Sequence, residues 1–153
     1  MDEKPCAKYN HMGVDIQAVV NILPMKTKGW PKMTYDCLII DDEKLLADST
    51  AEYFNLFGVK TALAYSVSDC RDFFRENTVE LLLLDINLGD GSGFELCKEL
   101  RETTEIPILF ISARTSDDDQ IIALSIGGDD YIQKPYSLSV LLAKVKAVLK
   151  RYG

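Results

Sequence analysis

Residues 81–96 read LLLLDINLGDGSGFEL, and this segment indicates the fold. Its four consecutive leucines, residues 81–84, form a continuously apolar run. Such a run is typical of a strand that helices cover on both faces of a parallel sheet. The run ends at Asp85, and a glycine-rich loop then leads into an amphipathic stretch. The segment therefore predicts a buried strand, a polar loop and a helix.

The same alternation extends outward from this segment, from residue 35 to residue 151. Short apolar runs predict five strands, and stretches with helical periodicity predict five helices. Because the connections are short, the strands should be parallel and joined by right-handed crossovers, which gives an α/β fold with a doubly wound sheet. The predicted strands are residues 35–40, 60–64, 80–84, 107–111 and 130–132, and the predicted helices are residues 43–57, 67–76, 93–103, 116–126 and 138–151.

Composition restricts the possible functions. The 153 residues suit one domain with or without an extension, and 47% hydrophobic residues can form a core. The net charge of -7 argues against nucleic-acid binding by this chain, and the single histidine excludes a histidine-rich metal centre. Cysteines at positions 6, 37, 70 and 97 form no C-x-x-C pair and are interpreted as free thiols in a reducing cytosol. No apolar stretch approaches the ~20 residues of a membrane span, so a cytoplasmic protein without membrane contact is expected.

The first 33 residues differ from the rest in charge. Residues 1–33 carry a net charge of +2, whereas residues 34–153 carry -9. We interpret residues 1–33 as an N-terminal extension of unknown role and residues 34–153 as the domain. The alternative is an upstream start, with Met33 as the natural first residue.

Polar residues follow the predicted strands at the points where those strands end. Asp41 and Asp42 follow the first strand, Asp85 the third, Ser112 the fourth and Lys134 the fifth. The carboxyl ends of parallel strands meet at one edge of the sheet, which we call the carboxyl rim. Three carboxylates on one rim repel one another, so the arrangement makes sense with a hard divalent cation among them, and oxygen ligands favour Mg²⁺.

This set of residues suits phosphoryl transfer. The Asp85 carboxylate can act as a nucleophile and form an aspartyl phosphate. Lys134 and the Ser112 hydroxyl would contact the phosphoryl oxygens, and backbone N–H groups of Asn87 and Ala113 would add donors. Taken singly, each residue has another interpretation, such as a helix cap for Asp42 or a turn former for Asp85.

Four motifs occur along the chain in this order: LIIDDE at residues 38–43, LLLLDINLGDGSGFEL at 81–96, FISAR at 110–114 and GGDDYIQKP at 127–135. Together they resemble the receiver domain of two-component response regulators, over roughly residues 35–152. The resemblance implies the flavodoxin-like strand order 2-1-3-4-5 with helices on both faces. The C-terminal stretch is most similar to the OmpR-like subfamily, whose members continue into a winged-helix DNA-binding domain.

The resemblance implies a magnesium site and a phosphoacceptor. Asp85 would accept the phosphoryl group. Asp42, Asp85 and the Asn87 carbonyl would ligate Mg²⁺, with Asp41 acting mainly through water. The phosphoryl group would come from a cognate histidine kinase or a small phosphodonor, and the domain would catalyse only its own phosphorylation and dephosphorylation.

The resemblance also implies a switch. Ser112 would be the switch hydroxyl, Lys134 the lysine that pairs with the phosphoryl group, and Tyr131 the rotating aromatic residue. The bond before Pro135 would be cis, as X–Pro bonds can be. Two residues depart from the usual pattern: Gly89 stands where proline is usual, and Ser112 where threonine is commoner.

Several interpretations stay open at this point. The chain can be a stand-alone regulator, part of a longer regulator or the receiver of a hybrid histidine kinase. A phosphatase of the haloacid-dehalogenase type also uses an aspartyl nucleophile, but it normally needs a second aspartate two residues later, where this chain has Asn87. A degenerate receiver that only binds proteins is the third interpretation, although every acidic, hydroxyl and lysine position is filled.

Apolar residues in the last two predicted helices predict a partner surface. Residues 121–124 are all apolar, and successive helical residues point about 100° apart, so some must be exposed. The resemblance places them on the face of the fourth helix, fifth strand and fifth helix, where OmpR-like receivers form symmetric dimers when phosphorylated. We expect a homodimer held more by apolar contact than by charge, with no direct nucleic-acid contact. The predicted interface residues are Ile121, Leu124, Val140 and Leu142, with Asp130 and Lys144 as one possible ion pair.

Overall fold

The computed structural model describes residues 33–114 and 116–152. Strands and helices alternate along the chain, and the five longer strands form one sheet. The strands are β1 (Met33–Tyr35), β2 (Cys37–Ile40), β3 (Thr61–Ala64), β4 (Asn77–Val79), β5 (Leu82–Asp85), β6 (Asn87–Leu88), β7 (Gly91–Ser92), β8 (Ile108–Ser112) and β9 (Asp130–Gln133). The helices are α1 (Lys44–Leu56), α2 (Val67–Glu76), α3 (Gly93–Arg101), α4 (Asp117–Ser125) and α5 (Leu138–Tyr152).

The main sheet has the order β3-β2-β5-β8-β9, and every neighbouring pair is parallel. Numbered along the chain, its five strands stand in the order 2-1-3-4-5, which confirms the predicted doubly wound fold. The strand order reverses between β2 and β5. The crevice beyond their carboxyl ends is where such sheets bind ligands.

The core lies on both faces of the sheet, which explains the continuously apolar strands. Along residues 81–84, which lead into and form most of β5, Leu82 and Leu84 belong to one buried cluster, whereas Leu81 and Leu83 belong to the other. Helices α2 and α3 cover the first face, and α1 and α5 cover the second. Each leucine therefore buries its side chain whichever way it points, a gain of roughly 1.5–3 kcal/mol per side chain.

Two short pairings were not predicted. β1 runs parallel to β4, with Met33 opposite Asn77, directly ahead of the β2–β5 ladder. β6 and β7 form a small antiparallel pair directly after Asp85. Met33 was assigned to the extension because of the charge pattern, but it is the first residue of β1. Residues 1–32 lie outside the described part of the chain.

Candidate functional site

The predicted acidic residues lie together at the carboxyl rim. One ligand oxygen each from Asp41, Asp42 and Asp85 lies within 4.8 Å of the others, and we call these three residues the acidic cluster. Asp41 and Asp85 are buried, with 0% and 6% exposure, and Asp42 is exposed. Strands β2 and β5 fix the two buried members, because both strands are buried over their whole length.

Lys134 provides the positive charge that faces this cluster. Its Nζ is 2.9 Å from Asp41 Oδ2 and 3.0 Å from Asp85 Oδ2, and its side chain is only 8% exposed. Burial alone would lower the pKa of this ammonium, but its close contacts with the Asp41 and Asp85 carboxylates outweigh burial and raise the Lys134 pKa above its usual value. Lys134 is therefore charged, and its cation is held against both buried carboxylates.

The backbone around Lys134 fixes its position. Its N–H donates to the Ser112 carbonyl at 2.8 Å, and the Lys134–Pro135 bond is cis, as predicted. Next along the chain, the Tyr136 hydroxyl lies 2.9 Å from Thr50 Oγ1, which itself donates to the Leu46 carbonyl in α1. The loop that carries Lys134 is thus tied to both β8 and α1.

The charges of the cluster are only partly balanced. The pKa of Asp85 is raised to about 6: burial is the main cause and the Asp41 carboxylate adds to the rise, while the hydrogen bond from Lys134 opposes it. Two buried carboxylates share one ammonium, and the exposed Asp42 adds a third negative charge. An added cation would therefore find an electrostatically favourable site here.

Asp41 supplies an observation that bears on a metal ion. Its Oδ1 accepts from the Glu43 N–H at 2.9 Å. Its Oδ2 is fully buried and, although 2.9 Å from Lys134 Nζ, it accepts no aligned hydrogen bond within residues 33–114 and 116–152. A buried carboxylate oxygen with a free lone pair, next to two more carboxylates, is the hard oxygen set that Mg²⁺ prefers. The residues present fit a magnesium ion.

Asn87 and Arg114 meet beside the acidic cluster. The Asn87 N–H donates to Asp85 Oδ1 at 3.4 Å, and the Asn87 side-chain oxygen accepts from Arg114 Nη2 at 3.0 Å. Arg114 Nη1 also donates to Asp119 in α4, at 3.1 Å. Arg114 therefore links the loop after β5 to the start of α4.

Ser112 and Tyr131 occupy the neighbouring strand ends. Ser112 is buried at the end of β8, and its hydroxyl accepts from the Arg114 N–H at 3.1 Å. Ala113 follows it, exposed at the rim. Tyr131 is half-buried in β9 and its hydroxyl donates to the Arg114 carbonyl at 3.0 Å. A movement of the Ser112 hydroxyl would therefore shift the backbone of Arg114 and, through the Arg114 carbonyl, the Tyr131 hydroxyl.

Two residues of this site were missed from the sequence. Glu43 Oε1 lies 3.1 Å from Lys134 Nζ, although no sequence pattern separates Glu43 from an ordinary acid at the start of a helix. Arg114 was quoted within the FISAR motif but was given no role. The alternative cap role of Asp42 is not realised, because the α1 N-cap residue is Glu43, without a side-chain cap bond.

The exposed apolar residues of α4 and α5 are largely where they were expected. We call Ile121, Ile122, Leu124 and Val140, which are 61%, 43%, 51% and 56% exposed, the apolar face. Ala123 is buried, so the helix does turn one of its four apolar residues inward. Leu142 was predicted to be partly exposed, and this is wrong: it is 8% exposed and packs with the core on the α1 side of the sheet. The predicted Asp130–Lys144 ion pair is present at 3.6 Å.

Comparisons with known proteins agree with this geometry. The chain matches the family described as the response regulator receiver domain over residues 37–146. It is 40% identical over 120 residues to the uncharacterized transcriptional regulatory protein YvcP of Bacillus subtilis (strain 168) and 37% identical over 117 residues to the transcriptional regulatory protein YxdJ of the same strain. A two-component response regulator from Clostridium difficile superposes with a TM-score of 0.74 at 35% identity, covering 80% of this chain and 99% of that one.

The chain therefore belongs to the response regulator receiver domain family of two-component signalling. The two Bacillus matches cover 78% and 76% of this chain but only 51% of each relative, so the chain spans about half their length. Receiver domains of response regulators interact with histidine kinases. Within the described ranges, none of the helices combines the length and the apolarity that crossing a membrane requires. The OmpR-like subfamily stays a prediction.

Proposed function

We propose that Asp85 accepts a phosphoryl group from a histidine kinase or a small phosphodonor. The observation that carries this proposal is the contact of the buried Asp85 carboxylate with Lys134 at 3.0 Å inside the acidic cluster. A carboxylate oxygen of Asp85 attacks phosphorus and forms the O–P bond. The bond from phosphorus to the histidine nitrogen, or to the acyl oxygen of acetyl phosphate, breaks, and the leaving group keeps the electron pair.

The residues around Asp85 have separate roles in this proposal. Lys134 is released from carboxylates and pairs with the phosphoryl oxygens, and Ser112 adds a hydroxyl donor. Asp41, Asp42, Asp85 and the Asn87 carbonyl would hold Mg²⁺, with Asp41 acting mainly through water. When bound, Mg²⁺ would offset the negative charge that gathers on the transferring oxygens. Backbone N–H groups of Asn87 and Ala113 complete the donor set.

Intact-mass spectrometry tests the proposal directly. Incubation with acetyl phosphate and Mg²⁺ should add one phosphoryl group to the chain, and EDTA should prevent the addition. The same preparation should not turn over p-nitrophenyl phosphate, because the second aspartate of a phosphatase of the haloacid-dehalogenase type is replaced by Asn87. Steady turnover of p-nitrophenyl phosphate would contradict a domain that catalyses only its own phosphorylation and dephosphorylation.

Magnesium should raise the thermal midpoint of the unphosphorylated protein. A ligand that binds only the folded state stabilises it by about 2.7 kcal/mol when its concentration is about 100 times Kd. Differential scanning fluorimetry across a Mg²⁺ titration measures this rise, which Asp42→Asn should weaken because a carboxylate of the acidic cluster is lost. Asp118→Asn, an exposed α4 aspartate outside the cluster, should keep the full response. A wild-type midpoint indifferent to millimolar Mg²⁺ would argue against the site.

Phosphorylation should promote a homodimer through the apolar face. Exposed apolar residues in one patch mark interaction surfaces, and Ile121, Leu124 and Val140 are all more than half exposed. Tyr131 lies in β9, between α4 and α5, and its hydroxyl donates a hydrogen bond to the Arg114 carbonyl. A rotation of Tyr131 on phosphorylation of Asp85 would therefore alter the apolar face. The Bacillus relatives are named as transcriptional regulators, and we propose that the dimer serves transcription regulation here as well.

Sedimentation velocity tests the dimer. With phosphodonor and Mg²⁺ the sedimentation coefficient should rise, and high salt should change it little, because burial of apolar area is not screened. Leu124→Glu should reduce association by at least an order of magnitude, since it would bury a charge. Leu45→Glu is the matched control, because Leu45 is 86% exposed on α1, outside the apolar face. Association unaffected by Leu124→Glu would overturn this interface.

A further inference from the structure

The loop between Asp85 and α3 has little rigidity of its own. We call residues 86–92 the acceptor loop. It contains the two-residue strands β6 and β7, and Gly89 and Gly91 stand on either side of Asp90. Glycine has wide conformational freedom at such a turn, and a hairpin of two ladder pairs is not stable alone. The acceptor loop therefore depends on contacts with the rest of the molecule for its position.

One side of the acceptor loop faces the acidic cluster. The Asn87 N–H donates to Asp85 Oδ1 at 3.4 Å, and a Cβ placed on Gly89 would lie 3.8 Å from Asp42 Oδ2. The proposed function takes a metal ligand and a phosphoryl donor from this loop, namely the carbonyl and the N–H of Asn87. A displacement of the loop by ~1 Å would misplace both groups, and a misplacement of that size can lower a rate by about 100-fold.

The other side of the acceptor loop is attached to α2 by Asp90. Asp90 Oδ1 accepts from the Val67 N–H at 2.8 Å, and Oδ2 accepts from the Ser68 N–H at 3.1 Å. Both N–H groups belong to the first turn of α2, where a negative charge is favoured. A Cβ placed on Gly91 would lie 3.0 Å from Val67 Cγ2, so the loop backbone also packs closely on α2. An exposed carboxylate thus uses both oxygens to hold the loop.

These bonds join two elements, because α2 has a cap residue of its own. Ser66 is the α2 N-cap, and its hydroxyl accepts from the Asp69 N–H at 3.0 Å. Burial would raise the pKa of Asp90, but the hydrogen bonds from the Val67 and Ser68 N–H groups outweigh burial and hold the pKa below its usual value. The Asp90 carboxylate is therefore charged at neutral pH, the form that accepts both bonds.

We propose that Asp90 is a positioning residue for the phosphoacceptor site and acts through the acceptor loop. Its carboxylate holds the loop on α2 and so fixes the N–H and the carbonyl of Asn87 beside Asp85. This inference rests on the phosphoacceptor role proposed for Asp85. The attachment of the loop to α2 is nevertheless measurable without any phosphodonor.

Two measurements on the full chain test the role of Asp90. Asp90→Ala removes both acceptor oxygens, so deuterium exchange at the amides of residues 86–92, measured in EDTA, should become several-fold faster. The initial rate of phosphoryl uptake from acetyl phosphate with Mg²⁺ should fall by about 10–100-fold, the usual cost of removing a group that orients metal ligands. Asp90→Asn keeps one acceptor oxygen and should lie between Asp90→Ala and the wild type in both measurements.

Two further variants separate positioning from a loss of stability. Ser66→Ala removes the α2 cap but not the attachment of the loop, so it should lower the thermal midpoint and keep the wild-type uptake rate. Gly89→Pro added to Asp90→Ala should slow the exchange again and restore most of the uptake, because proline restricts the loop directly. Gly89 is the second residue of the turn from Leu88 to Gly91, a position that favours proline.

Four results would overturn the proposal. One is slow exchange of residues 86–92 in Asp90→Ala, and another is fast exchange with an unchanged uptake rate. The third is an equal loss of uptake in Ser66→Ala, since the stability of α2 would then be the cause. The fourth is a Gly89→Pro variant that slows exchange without raising uptake. A wild type that gains no phosphoryl group would instead contradict the acceptor role of Asp85, and exchange would still decide whether Asp90 holds the loop.

Discussion

Replacing Asp85 with asparagine should abolish phosphoryl uptake from acetyl phosphate. The amide oxygen of asparagine carries no negative charge and is a poor nucleophile toward phosphorus, while the size and shape of the side chain are kept. The introduced amide oxygen would still accept a hydrogen bond from Lys134, whose Nζ lies 3.0 Å from Asp85 Oδ2. Intact mass should therefore show no added phosphoryl group in Asp85→Asn under conditions that fully modify the wild type. Uptake at the wild-type rate would show that another residue is the acceptor.

The same variant should stay folded, which separates a chemical effect from a structural one. Burial raises the pKa of Asp85 from 3.8 to about 6, so the carboxylate opposes folding once it is ionised. The stability that Asp85 contributes is fully present below pH 3.8 and is lost as pH rises through about 6. In EDTA at neutral pH, the thermal midpoint of Asp85→Asn should therefore equal or exceed that of the wild type. Asp118→Asn serves as the control, with no change in phosphoryl uptake.

The sheet and the acidic cluster were predictable because buried strands have a distinctive, continuously apolar sequence. A strand covered on both faces must be apolar at every position, as residues 81–84 are, and a parallel sheet gathers its carboxyl ends at one rim. Once the strands were placed, Asp41, Asp85 and Lys134 had to lie near one another. The structure places Lys134 Nζ 2.9 Å from Asp41 and 3.0 Å from Asp85.

What the sequence did not show depends on single side-chain contacts and short pairings. The β1–β4 pair has three residues in each strand, too few for a periodic pattern. The Tyr136–Thr50 hydrogen bond joins residues 86 positions apart, and neither a tyrosine nor a threonine indicates from the sequence which residue it will bind. Leu142 lies at the edge of the apolar stripe that Leu141, Val145 and Val148 form along α5, where a small rotation of the helix decides between burial and exposure. Only the packing of α5 against the sheet resolves it.

The first residue of α3, Gly93, packs so closely against the backbone of the acceptor segment that no side chain fits there. A Cβ placed on Gly93 would lie 2.1 Å from the Asp85 carbonyl oxygen and 3.0 Å from Ile86 Cα. Both are backbone atoms of the segment that carries the acceptor. The Gly93 N–H also donates to the Ile86 carbonyl at 2.7 Å, so α3 is held tightly against this segment. An added methyl group must displace either the start of α3 or the backbone of Asp85.

Gly93→Ala should therefore lower both stability and phosphoryl uptake, whereas Gly89→Ala should lower neither. Overpacking costs typically about 1–3 kcal/mol, and a clash with backbone lies at the upper end because no side chain can rotate away. At Gly89 the nearest atom to an added Cβ is Asp42 Oδ2 at 3.8 Å, an ordinary contact. Thermal unfolding in EDTA measures stability, and the initial rate of mass gain with acetyl phosphate measures uptake. If Gly93→Ala matched Gly89→Ala in both, the close approach of α3 to Asp85 would be wrong.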